Sequence, residues 1–128
     1  MDTTTLVETG IREGKGLIEA LDKEGFQVEA AIWFYFTDSG EWRLLIASPF
    51  VEKDGPKKAY SFIRSVLAKL APPYGISLKD ISVVSPKYHL ITLLRRAIRT
   101  GPGISGIRFT RNVINNTLIE DAYIYRIL

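Results

Sequence analysis

Eleven lysine and arginine residues fall between Gly55 and Arg111, against a single acid, Asp80. They are Lys57, Lys58, Arg64, Lys69, Lys79, Lys87, Arg95, Arg96, Arg99, Arg108 and Arg111. Side chains of this type neutralise phosphates and release counterions, and so bind nucleic acid with a steep dependence on salt. The first 54 residues have the opposite bias, with eleven acids against five bases. The two blocks carry −6 and +10, and residues 112–128 carry −1, which gives the net charge of +3. Opposed blocks either mark an anionic partner, nucleic acid or an acidic protein, or neutralise each other within the folded chain or across a dimer.

Six cations are the anion-binding candidates: Lys87, Arg95, Arg96, Arg99, Arg108 and Arg111. Arg95 and Arg99 are spaced one helical turn apart and would face the same way. Arg108 alternates against Ile107 and Phe109 and would point away from their side of a strand. Tyr88, next to Lys87, offers a ring on which a base stacks. No zinc finger, RNP1 or KH loop accompanies them. The blander reading is that cations at a helix C-terminus complement the helix dipole.

The remaining reactive residues point away from catalysis. Gly101–Gly106 spells G-x-G-x-x-G, but the phosphate-binding form of that motif needs a strand before it and a helix after it. Here a helix precedes and a strand follows, so a helix-to-strand loop is expected, with its amides at most an anion nest near Arg99 and Arg108. His89 is the sole histidine and the chain has no cysteine and no G-x-S-x-G elbow, so neither a nucleophile pair nor a metal set builds around it. Glu29 and Glu41-Trp42-Arg43 fall on neighbouring strands, as the acids of a metal-dependent nuclease do. Yet arginine stands where that chemistry wants lysine, and Glu41 sits at the turn. No catalytic residue, metal or cofactor is expected.

These residues must be positioned by ordinary elements. Thr5-Leu6-Val7-Glu8 matches a capping box, and Val7, Ile11, Gly14, Ile18 and Leu21 share one helical face up to Gly25. Gly10, Gly14 and Gly16 weaken that helix unless something packs close against it. Phe26 to Phe36 alternates as a strand, with Phe26, Val28, Ala30, Ile32, Phe34 and Phe36 on one face. Thr37–Gly40 turns it into a second strand, Trp42 to Ser48. Asp54 is read as the cap of a second helix with Pro56 in its first turn and a stripe of Ala59, Phe62, Ile63, Val66, Leu67 and Leu70, stopped by Pro72-Pro73. Ile81 to Val84 is a third strand. Ser85-Pro86 is read as the start of a third helix reaching Arg99, with Leu90, Ile91, Leu94 and Ile98 inward. Ile104 to Thr110 and Ile119 to Ile127 are two more strands joined through Asn112–Thr117.

The expectation is an α+β domain spanning residues 1–128 in the order α-β-β-α-β-α-β-β, with helices packed on a five-strand mixed sheet. If the helices cover one face only, Trp33, Tyr35, Tyr123 and Tyr125 form an exposed aromatic patch and become interface candidates. If the helices divide between the faces, those rings are core. Met1–Thr5 lacks a basic start followed by an apolar run, and no apolar stretch reaches bilayer length, so no signal peptide and no membrane contact are expected. The chain is read as cytoplasmic. Its expected role is binding: an anionic partner through the 55–111 region, or alternatively a homo-oligomeric interaction module whose acidic and basic regions meet.

Overall fold

A computed structural model describes Leu6, residues 8–70 and residues 75–128. The expected cap at Thr5, the stripe position Val7 and the stop at Pro72-Pro73 lie outside the described residues. Helix α1 (Glu8–Lys23) buries Gly10, Gly14, Leu17, Ile18 and Leu21 at the expected helical spacing. Gly25 closes it with φ +80. The Gly25 amide donates to the Asp22 carbonyl and the Phe26 amide to Leu21, the paired bonds of a left-handed helix stop.

Strands β1 (Ala30–Phe36) and β2 (Glu41–Ala47) form the expected hairpin. Two helices follow, α2 (Phe50–Asp54) and α3 (Pro56–Lys69). Asp54 therefore ends the short α2 and does not cap α3; Gly55, at φ +87, swings the chain between them and Pro56 opens α3. A 3-10 turn (Leu78–Asp80) leads into β3 (Ile81–Val84), which pairs parallel to β2. The β2-to-β3 connection is thus the crossover that parallel strands require.

Helix α4 (His89–Ala97) is shorter than expected at both ends. Ser85 accepts from the Lys87 amide in a turn ahead of it. Beyond Ala97 the chain is extended at Ile98, and the Thr100 amide donates to the Ile127 carbonyl. Pairing with the last strand has replaced the final helical turn. The closing hairpin is longer than the sequence suggests: β4 (Ile107–Ile114) and β5 (Thr117–Ile127) are joined by Asn115-Asn116 alone. Both asparagines have positive φ, which a two-residue hairpin turn of matching twist requires.

The strand order is β3-β2-β1-β5-β4. This is an α+β chain with a five-strand mixed sheet, on which the helices divide between the two faces. Helices α1 and α3 pack on the face of Ala31, Trp33, Leu44 and Ile46. Helix α4 packs on the face of Ala30, Ile32, Phe34 and Leu45. Phe26 and Val28 do not continue the β1 alternation: they precede the strand and join the α1/α3 side, where Phe26 sits 5.2 Å from Phe50 and 5.1 Å from Phe62. Among the described residues no helix is long and apolar enough to cross a membrane.

Candidate functional site

The division of helices separates the basic residues that are contiguous in sequence. Lys57, Lys58, Arg64 and Lys69 ride on α3, on one side of the sheet. Arg95 and Arg96 end α4, on the other side, and Arg99 follows them. Arg108 and Arg111 belong to β4, at the sheet edge. The 55–111 block is therefore not one groove.

Charge pairing separates the candidates further. Arg108 makes a two-pronged contact with Asp121, its Nε and Nη2 each donating at 2.7 Å. That bond holds the guanidinium above its ordinary pKa, against a smaller loss from burial. Its Cζ lies 5.7 Å from the centre of the Trp42 ring. Arg111 reaches Glu120 at 3.4 Å from a backbone with φ +46, a left-handed conformation rare for a side chain of this size. Lys87 is 3.9 Å from Glu52. Arg95 donates from Nε to the Leu128 carbonyl at 2.8 Å. Because the chain is extended from Ile98, Arg95 and Arg99 do not share a helical face as their spacing suggested. Arg96 and Arg99 are exposed and face no acid within ion-pair distance among the described residues. The acidic and basic blocks also meet inside one chain, at Lys69–Glu24 (2.9 Å) and Lys87–Glu52.

The aromatic interface candidates do not form an exposed patch. Trp33 and Tyr125 are 4% and 1% exposed beneath α1. Trp33 Nε1 donates to the Tyr125 hydroxyl at 3.0 Å, and that hydroxyl donates to the Ile11 carbonyl at 2.6 Å. Gly14 permits this: a Cβ there would overlap the Tyr125 hydroxyl and stand 2.9 Å from Trp33 Nε1. Tyr35 and Tyr123 are half-buried, one against Trp42 and the other against Tyr125 and Gly106. The rings are core because helices cover both faces.

The Gly101–Gly106 loop does lie between a helix and a strand, as expected, and Ser105 spends its amide on the Tyr125 carbonyl. His89 is exposed, its ring 4.6 Å from Tyr88. Glu29 and Glu41 stand at opposite ends of the first hairpin, since Ala30 pairs with Ala47 and Phe36 with Glu41. Arg43 is held by Ser82 and the Ile81 carbonyl. No group of three or more acid or histidine side chains that would hold a metal occurs among the described residues.

Two features were not anticipated from sequence. Arg126 is 5% exposed and ties three segments together: both Asp22 oxygens (3.0 and 2.8 Å), the Val28 carbonyl (3.1 Å) and the Gly103 carbonyl (3.2 Å). A cation inside the apolar second half of β5, Ala122 to Ile127, was its only signal. The second is a cavity of about 300 Å³ between α1, the starts of β2 and the 3-10 turn. Trp42 forms one wall and is 9% exposed, and its Nε1 is the one buried side-chain polar atom without a partner among the described residues. No family model, curated protein or solved structure matches this chain.

Proposed function

We propose that the protein is a non-enzymatic binding domain that engages an anionic partner, with nucleic acid as the case to test, at the C-terminal end of α4 and the loop after it. One observation carries this reading. Arg96 and Arg99 remain exposed without an acid, while Lys87, Arg108 and Arg111 have theirs. Cations left unpaired next to an exposed Gly101-Pro102-Gly103 segment allow a phosphate chain to approach the backbone closely. Fluorescence anisotropy with labelled single-stranded and duplex oligonucleotides tests it. Binding should fall steeply between about 50 and 200 mM salt. The paired change Arg96→Ala, Arg99→Ala should flatten the logarithmic salt slope by about 1.4 to 1.8. No binding at low salt, or an unchanged slope in the variant, rules the reading out.

A second reading, self-association, rests on a different observation. Val113 on the edge strand β4 and Leu118 opposite it on β5 face each other across the closing hairpin at 65% and 58% exposure. Such edges template pairing with another chain. Light scattering should then find a dimer that persists at high salt, because its contact is apolar, and that Val113→Lys with Leu118→Lys disperses. A dimer held by the opposed charge blocks would dissociate in salt instead.

A further inference from the structure

We propose that the cleft between α1 and the loop entering β4 binds a small phosphate monoester with a ring-sized body. The cleft measures about 390 Å³ and lies on the α1/α3 side of the sheet. Two tyrosines of β5 line it, and each sets its hydroxyl against a glycine. A Cβ at Gly14 would overlap the Tyr125 hydroxyl, and a Cβ at Gly106 would overlap that of Tyr123. The Tyr125 hydroxyl is engaged, between Trp33 and Ile11. The Tyr123 hydroxyl has no hydrogen-bond partner among the described residues. Trp42 Nε1 is the one buried atom there in that condition, so the Tyr123 hydroxyl is open to solvent. Gly106, itself on the cleft wall, thus makes room for a hydroxyl that the protein does not use.

Helix α1 brings the charge. Glu8, Ile11, Arg12 and Lys15 fall on one stripe of that helix and form the facing wall. Arg12 and Lys15 are exposed, and neither meets an acid within ion-pair distance among the described residues. Opposite them stand the hydroxyls of Ser105 and Tyr123. Two cations and two hydroxyls offer more donors than the two oxygens of a carboxylate need. They suit a phosphate head, with its three terminal oxygens and nearly two charges. Glu8 is the one acid on the wall, and it opposes any anion. Ile11, Ile104 and the two tyrosine rings supply apolar surface for the body of the ligand. The Ser105 amide is already spent on the Tyr125 carbonyl, so side chains carry the recognition. Arg96 and Arg99 belong to the α4 side, so the cleft stands apart from the nucleic-acid reading.

The test is a nitrogen-15 NMR titration that follows the Ser105 and Gly106 amides at low salt. Phenyl phosphate is added beside inorganic phosphate, benzoate and benzylamine. The expected result is a saturable shift with phenyl phosphate, weaker binding of inorganic phosphate and benzoate, and none of benzylamine. Arg12→Gln with Lys15→Gln should weaken phenyl phosphate about two- to twentyfold, the range of two exposed ion pairs. Glu8→Gln should tighten it about two- to fivefold. All three residues are exposed, so these variants keep the fold. Tyr123→Phe should weaken binding about two- to tenfold, the range of one neutral hydrogen bond, with the unfolding midpoint unchanged. Arg96→Ala with Arg99→Ala should leave phenyl phosphate affinity as it was, whatever becomes of oligonucleotide binding. The proposal is overturned by the absence of a saturable shift, by unchanged affinity in the Arg12/Lys15 variant, or by loss of affinity in the Arg96/Arg99 variant. Equal affinity for inorganic phosphate overturns it, since the cleft would then hold an adventitious ion only. Tighter binding of an oligonucleotide with diester phosphates alone overturns it in favour of a polynucleotide track.

Discussion

The two faces of the sheet are built on different plans. Under α1 and α3 lie tryptophan, tyrosine and phenylalanine rings, a hydrogen-bonded relay from Trp33 through Tyr125 to Ile11, and a cavity. Under α4 lie mainly isoleucine, leucine and alanine side chains. Aliphatic packing needs only shape and volume. An aromatic face with polar tips needs every tip answered, and answering them makes it sensitive to single atoms. The α1/α3 side is therefore the specified face, and Trp42, its one buried unanswered tip among the described residues, stands out. The α4 side is the plainer one, and it keeps its unpaired charge at the exposed end of the helix.

The largest expected effect comes from emptying the specified face. Trp33→Ala should cost about 3–5 kcal/mol in urea unfolding, through lost burial, a cavity and a broken relay. A sharper comparison uses two neighbours on β5 that look in opposite directions. Tyr125→Phe removes one oxygen and leaves the Trp33 indole without its acceptor, for about 1–3 kcal/mol. Ile124→Val removes one methylene from the α4 side, for about 0.5–1.5 kcal/mol. If Ile124→Val proves the costlier, the two plans are not distinct in energy. Adding an atom probes the same point. Gly14→Ala should cost about 1–2 kcal/mol net, as overpacking against Tyr125 outweighs alanine's better helix propensity. Stabilisation by that change would mean that the relay has room to shift.

How much of this was readable in advance follows the same line. The stripes of α3 and α4, the first hairpin and the order of elements come from local periodicity and turn residues, and they appear as expected. The three glycines of α1 announced a close neighbour, though not that Tyr125 would be it. What depended on tertiary contact was hidden. Trp33 and Trp42 both sit in alternating strands, and only the placement of Tyr125 beside one of them separates a satisfied indole from an orphan. The early end of α4 follows from a bond between Thr100 and Ile127, residues 27 apart. It undoes the shared face of Arg95 and Arg99. Asparagine favours turns, which places Asn112 in the connection on sequence alone, but the hairpin uses Asn115-Asn116 and extends β4 to Ile114. The basic block read as one surface because sequence has no sheet order, and a βαβ crossover places α3 and α4 on opposite sides.

The smallest expected effect concerns the ion pair that joins the ends of α1 and α3. Lys69 meets Glu24 at 2.9 Å, but the two side chains are 63% and 40% exposed. Water screens such a pair and side-chain entropy opposes it. Lys69→Met should therefore change the free energy of urea unfolding by about 0.5 kcal/mol or less. The apolar contacts of Leu17, Ile18, Ala59, Ile63 and Val66 then account for the joining of these helices to the sheet. A loss well above 1 kcal/mol would place the charge blocks among the forces that hold the specified face together. It would also make their meeting within one chain a matter of folding as well as of solubility.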